Sequence, residues 1–435
     1  MNQAALKPQN LPESLVWYYI TGTYLLYLLG AQYVCATLLA SFLTFYLIGK
    51  WWSQNQDTSI DERIFIPISV WVWIIAVLVV EFALIVAHLN LDLGLGQIIK
   101  SSFSWYRSWG LLALFPLIGC LNIRPQIVYR AICILCIQSL LIAAICTVAQ
   151  LVKFPIFSYE SPLKSFGGVI DSYSVYLFYV LDENQPRLQL FAPWPPALGL
   201  VGNIYFFLAR QEANKKLRML ATIGAIAMVF SSVSRLAIVC LPGVVLLTWL
   251  LRNIFHPWLH FSLGSASVLL GIFSPTVLQI LGDFKDRFNQ ARSGSSEVRA
   301  RLNEMAKEAW WNETPIWGHG RMESSGPAVV AFRPIGSHHF WYGTLYSYGL
   351  VGATAIGIAF LWSFFDLLIK QKSNEYAQVG LSILLVLFIF TFADNVEALM
   401  YLCWPGLLML GISLKQEPIL SIREVQSNKL KKLTF

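Results

Sequence analysis

The chain has 435 residues, 56% of them hydrophobic and only 13% charged, with a mean hydropathy of +0.59; such a composition cannot build a water-facing surface and excludes soluble, disordered, collagen-like and secreted disulfide-rich classes. A formal charge of +7 and a pI near 9.0 would point to nucleic acid only if the basic residues formed a patch with interleaved aromatics, and here they are scattered over loops. The apolar residues lie in continuous helix-length runs, which excludes a transmembrane β-barrel and predicts an all-α polytopic membrane protein in one integral membrane domain, residues 1–435.

Residues 1–13 carry a single lysine, Lys7, and lack the pattern of a cleaved signal, so the first apolar run is expected to target the chain. Runs of near-spanning length follow at 14–29, 31–48, 66–88, 108–121, 127–152, 192–209, 219–234, 236–251, 261–281, 341–369, 377–393 and 398–414, about twelve crossings. The short connections at one end hold Lys50, Arg63, Arg124, Arg130, Arg210, Lys215, Lys216, Arg218, Arg252, Lys370 and Lys372, and a basic tail occupies 415–435. The positive-inside rule makes that end cytoplasmic and puts both termini inside. All seven cysteines (Cys35, Cys120, Cys133, Cys136, Cys146, Cys240, Cys403) fall in apolar runs without metal-ligand spacing and read as packed small residues. The 16 tryptophans and 18 tyrosines fit aromatic belts at the two interfaces.

Two outer connections are long, 153–190 and about 282–340, and long loops in compact proteins usually serve function. The second opens with Asp283, Lys285, Asp286 and Arg287, turns through Ser293, Gly294, Ser295 and Ser296, and then places Val298, Leu302, Met305 and Ala309 at helical spacing. That pattern predicts an amphipathic helix N-capped by Ser296 and ended by Thr314, before Pro315 and the glycines of Gly318-His319-Gly320.

Ionisable groups against a bilayer are the informative ones, because an arginine at a helix centre costs about 2.5–3.5 kcal/mol on insertion scales. Arg187 precedes the sixth run, Arg235 sits between the seventh and eighth, Arg299 lies on the loop helix, and His338 and His339 open the tenth run. All reach the same outer boundary, where guanidinium forks suit phosphate oxygens and an imidazole titrates near neutrality. Each arginine has a plainer reading as a side chain snorkelling to headgroups. Arg287, Arg292, Arg301, Arg321 and Arg333 read as surface charge balanced by acids of the same loop, and His88, His256 and His260 as interfacial polar residues. Glu81, deep in the third run, is expected to hydrogen-bond a neighbouring helix, while Asp394 and Glu397 in the last outer turn are positioned to support the histidine or an arginine.

The combination of SSVSR, the loop helix beginning near EVRARL, ETPIWGHG, and HHFWYGTLYSYGLVG resembles the O-antigen ligase and O-antigen polymerase superfamily of bacterial envelope glycosyltransferases. His338, Gly349 and Gly352 reproduce its histidine-to-glycine spacing of eleven and then three residues. The resemblance covers roughly residues 187–352 by motif and the whole chain by topology. It implies glycan transfer from an undecaprenyl-pyrophosphate carrier to an acceptor hydroxyl at the periplasmic face of the bacterial inner membrane, inverting and without metal or cofactor. The acceptor is a glycan, lipid or protein. By position His338 matches the catalytic histidine, Arg187 and Arg299 match pyrophosphate-binding arginines, and Arg235 matches the Ser-Arg at the span entrance. Two positions depart from the pattern. His339 stands where an amide or hydroxyl is usual, which leaves either imidazole as the base, and Pro193 is followed by Trp194, an aromatic suited to stacking on sugar or anchoring in the interface. No Asp-x-Asp pair is present to hold a divalent ion, so cationic side chains are expected to meet the leaving-group charge. The rival from another class is a non-catalytic transporter or flippase for a lipid-linked or anionic envelope precursor, which would need polar groups through the whole depth of the bundle.

Overall fold

The computed structural model of the chain describes residues 6–415 apart from 56–58, 60–62, 169, 183–184, 255, 277, 280–281, 284–292, 323–324, 331 and 373. Its helices are α1 (Leu11–Thr21), α2 (Thr23–Leu28), α3 (Gln32–Trp52), α4 (Ile68–Asn90), α5 (Leu95–Ile118), α6 (Pro125–Leu151), α7 (Pro195–Ala209), α8 (Lys215–Ser231), α9 (Arg235–Arg252), α10 (Pro257–Ile272), α11 (Ser293–Glu313), α12 (Phe340–Lys370), α13 (Glu375–Phe390) and α14 (Met400–Lys415). Among the described residues, six helices are long and apolar enough to cross a membrane, and shorter apolar helices accompany them, so the chain is a multi-pass membrane protein.

Local chemistry sets many boundaries. Asn10 caps α1 by accepting from the Glu13 amide, Asn214 caps α8 by accepting from the Lys216 and Leu217 amides, and Ser234 caps α9 by accepting from the Ala237 amide. The first apolar run is split at Gly22, which leaves helical backbone (φ −92, ψ 8) to close α1 and open α2. Helix α14 is buried along nearly its whole length and packs against α3, α5, α7 and α13, while α7 is buried on all faces. By contrast, α10 shows Phe261, Leu263, Val268 and Ile272 outward, as expected of a helix facing lipid.

Polar ties collect at the two ends. At one end Arg124 pairs with Glu13, Arg130 with Glu212, and Lys415 donates to the Cys120 carbonyl. At the other end the long connections meet the starts of α7, α9 and α12.

The long 153–190 connection folds two antiparallel hairpins, β1 (Ser158–Glu160) with β2 (Ser174–Tyr176) and β3 (Val180–Asp182) with β4 (Gln185–Arg187). Pairing there satisfies backbone groups that sit at the bundle's edge. Three expectations need correction. Helix α5 begins at Leu95, thirteen residues before the expected 108, because Arg107 is buried against Tyr33 and Phe103 and donates to the Phe166 and Gly167 carbonyls. Helix α11 starts at Ser293, so Ser296 lies within the first turn and is not the cap; packing of Leu302 and Ala306 against the bundle overrides the weak helix propensity of the Ser/Gly stretch. His88 is not an interfacial residue but fully buried, with its ring nitrogens on the Leu84 carbonyl and the Ser101 hydroxyl. Lys285, Asp286, Arg287, Arg292 and nearly all of the 415–435 tail lie outside the described residues.

Candidate functional site at the outer end of the bundle

The site's histidines lead directly into helix α12, and the construction of that helix explains how they are held. Gly349 interrupts the helix with φ +62, ψ −165. The Tyr346 and Ser347 carbonyls, which would otherwise serve the helix, accept from the His319 and Gly320 amides, both at 2.8 Å. In exchange the Leu350 and Val351 amides donate to Pro315 and Ile316 carbonyls at 2.9 and 3.2 Å. The segment after α11 is thus laid into the helix break, and a Cβ on Gly349 would stand 2.2 Å from the Ile316 oxygen. His319 locks this strap by stacking on Tyr346 and meeting the Glu313 carboxylate at 2.8 Å.

The approach to α12 turns sharply. Ser337 donates to the Pro334 carbonyl through both its amide and its hydroxyl, Gly336 has φ +82, and His338 itself has φ +71. Left-handed backbone at a non-glycine residue is uncommon and collects at functional positions. The turn brings Arg333 back onto the histidine, with Nη1 2.9 Å from His338 Nε2. Burial first, and then the charges of Arg299 and Arg333, push the His338 imidazole down to about 4. The adjacent His339 is held differently. It is the N-cap of α12, accepting from the Tyr342 amide, and its ring packs on Tyr342 and Phe392.

The last outer turn, 391–395, forms a second wall. Phe340 donates its amide to the Thr391 carbonyl at 3.1 Å, and Arg299 Nη1 reaches the Ala393 carbonyl at 3.3 Å. Trp194, the N-cap residue of α7, donates from Nε1 to Asp394 Oδ2 at 3.0 Å. Burial raises the Asp394 carboxyl, against the pull of the Trp194 bond and the Arg299 charge. Arg299 Nε is buried without a hydrogen-bond partner, a donor aimed into the site and unused by the protein.

Arg187 ends β4 and is 2% exposed; its Nε and Nη2 donate to the Ser232 carbonyl at 3.0 and 2.7 Å. Ser232 belongs to the tight turn joining α8 to α9, and Arg235 is the first residue of α9 just after its Ser234 cap. Arg187 and Arg235 therefore share one turn. Helix α7 connects this pair to the rest: Trp194 at its start meets Asp394, and Gly199 touches Ser232 and Ala237, a rise of about 7.5 Å further along.

The candidate site residues thus fall into two groups. Arg299, His338, Asp394 and Trp194 form one group and Arg187 with Arg235 an adjoining one, while Glu397 is buried one turn past Asp394 with Oε2 unpartnered. Glu81, expected to hydrogen-bond a neighbouring helix, lies beside Ser102 of α5, but its Oε2 is buried without a hydrogen-bond partner. The reading of Arg333 as surface charge was incomplete: it is exposed, but it touches the histidine. The signal available was the Pro334 and Gly336 pair between them, which folds five residues back on themselves. The arrangement offers two guanidinium groups beside a neutral imidazole, a setting for an anion next to a base.

Residues 220–357 match the family described as O-Antigen ligase, and the chain carries a domain of that family there. The matched stretch holds Arg235, Arg299, His338 and Gly349, whereas Arg187 and Trp194 precede it. No curated protein shows significant similarity to the chain.

Proposed function

We propose that the protein is a membrane glycosyltransferase that moves a glycan from an undecaprenyl-pyrophosphate carrier to an acceptor hydroxyl at the outer, periplasmic face, in the manner of an O-antigen ligase or polymerase. The observation that carries this reading is the contact of Arg333 with His338 Nε2, with Arg299 close enough to depress the same imidazole. A guanidinium only donates, so Nε2 is the bare nitrogen and its lone pair accepts from Arg333 Nη1. When a pyrophosphate draws the two guanidinium groups onto its oxygens, that lone pair is released to the acceptor.

The acceptor oxygen then bonds to the anomeric carbon as its proton passes to His338 Nε2. The bond from that carbon to the pyrophosphate oxygen breaks, and its electron pair leaves with the lipid diphosphate, whose charge Arg299 and Arg333 meet. One displacement inverts the carbon, and cationic side chains fill the role a metal would have in charge stabilisation. Arg187 and Arg235 hold the adjoining turn and extend the positive field along α7. Asp394, tied to Trp194, keeps Arg299 oriented. The distribution of polar groups favours an enzyme over a conduit: among the described residues the middle of the bundle, along α7 and α14, is packed with apolar side chains.

The test is transfer from a lipid-linked donor by purified protein in lipid. Loss of product in His338→Ala, with lipid diphosphate no longer released, is the expected result. Full turnover in the His338→Ala, His339→Ala double variant would sink the base assignment.

A further inference from the structure

Asp394 turns toward Trp194, but the next residues of the same outer turn, Asn395 and Glu397, face a separate cavity of about 670 Å³ between α4, α5, α12 and the strap that follows α11. Four buried side-chain atoms on this cavity have no hydrogen-bond partner in the protein: Trp105 Nε1, Ser347 Oγ, Asn395 Oδ1 and Glu397 Oε2. Buried polar atoms are nearly always satisfied, so this many orphans around one cavity, from α5, α12 and the turn before α14, mark places a ligand's polar groups fill. They comprise a donor, an acceptor, and a hydroxyl and a carboxyl each able to do either, set among the rings of Tyr33, Trp109 and Tyr348. Alternating hydroxyl partners beside aromatic faces suit a polyhydroxylated ring, and Lys100 and Arg321, which also line the cavity, add donors for its oxygens; an acyl chain would leave the orphans unmet. The volume accommodates roughly two or three sugar rings. Gly343 joins the two sites: it lines the cavity, and a Cβ there would stand 2.5 Å from the carbonyl oxygen of Gly336, two residues before His338.

We infer that this cavity is the subsite for the acceptor's saccharide, placing its sugar rings on Trp105, Ser347, Asn395 and Glu397 next to the histidine that receives the acceptor's proton. The inference rests on the transferase reading for the word acceptor, but saccharide binding itself does not require turnover. The probe is fluorophore-labelled oligosaccharide released by mild acid from the envelope of the cells that make the protein, titrated by anisotropy onto the purified full chain. Saturable binding is expected in the unaltered protein and undiminished in His338→Ala, which separates this subsite from the chemistry. Asn395→Leu with Glu397→Leu should weaken it at least tenfold, and Ser104→Trp, placed on the exposed face of α5 at the cavity rim, should do the same without disturbing buried positions. In transfer assays those variants should raise KM for the acceptor and leave KM for the lipid-linked donor unchanged. Binding that survives both variants overturns the proposal, and so does a rise confined to the donor's KM, which would make the cavity a holder of donor glycan.

Discussion

Arg333 Nη1 and His338 Nε2 stand 2.9 Å apart, and the imidazole is pushed down to about 4 by burial and by the charges of Arg299 and Arg333. In the unliganded protein the imidazole is therefore neutral at all physiological pH. A bound pyrophosphate offsets both guanidinium charges, so the imidazole should recover toward its ordinary value of about 6.5. Since kcat/KM reports the free enzyme and kcat the bound one, the acid limb of kcat/KM is expected near pH 4 and that of kcat higher, by the share of the depression that the two charges cause, while the larger share due to burial remains. Coincident limbs in the two pH profiles would contradict this linkage.

The two arginines should differ from each other when altered. Arg299 spans between the Ala393 carbonyl and the histidine and has an unused Nε, so its fork is what the site needs. Arg299→Lys keeps the charge and loses the second donor; the loss of one charge-assisted bond, about 1.5–3 kcal/mol, corresponds to roughly 10- to 100-fold in kcat/KM. Arg333→Gln removes a charge but leaves a donor for His338 Nε2. Its signature is a higher acid limb of kcat/KM together with weaker donor binding, read from pH profiles of the variant.

The neighbouring histidines separate by the same reasoning. His339 caps α12 and packs on Phe392, so His339→Asn, which can still accept from the Tyr342 amide, should retain turnover within a few-fold. His338→Asn should lose about 10²–10⁴ in rate because no base remains. Equal losses in the two single variants, measured as product formed per enzyme, would mean that both rings share the proton.

Much of this was legible in the chain before folding. Lipid solvent turns each buried span into a continuous apolar run, so most of the helices could be placed from hydropathy alone. Contacts between residues far apart were not legible. That Arg187 would serve the Ser232 carbonyl, or Trp194 the Asp394 carboxylate, depends on which helices become neighbours, and no local pattern encodes it. Short hairpins such as β3 and β4 have three-residue strands with too few positions to show an alternation. The helix break at Gly349 was hidden for another reason: the glycine sits in an otherwise unbroken apolar run, and only the strap from 315 to 320 supplies the missing backbone partners.

That strap gives a stability prediction. Gly349→Ala must place a Cβ 2.2 Å from the Ile316 oxygen while holding a left-handed backbone. The conformation alone costs about 1–3 kcal/mol in a non-glycine residue, and displacement of the strap adds to it. A lowered thermal midpoint is expected, with transfer reduced beyond the stability loss because the same strap holds the first half of α12, the helix that His338 and His339 lead into. An unchanged midpoint would show that α12 can close over the break.

The opposite end of the bundle supplies a control that should change stability and leave the chemistry alone. Glu212 is 3% exposed and receives Arg130 through two bonds of 2.8 and 2.7 Å. Burial pushes its carboxyl up, but the Arg130 bonds and the Asn214 amide outweigh it and hold the group below its ordinary value. A depressed carboxyl contributes stability that is complete above the unfolded value and is lost as pH falls through the folded one, so this pair should weaken only below about pH 4.5. Arg130→Met strands a buried carboxylate and should cost about 3 kcal/mol or more at neutral pH. Adding Glu212→Leu removes the stranded charge and should restore most of the loss, because an apolar pair of similar volume needs no desolvation. Thermal melts of the two variants beside kcat/KM at neutral pH make the comparison: melting should fall and recover while the per-molecule rate of the folded protein stays constant, since neither residue approaches the outer end where His338 lies.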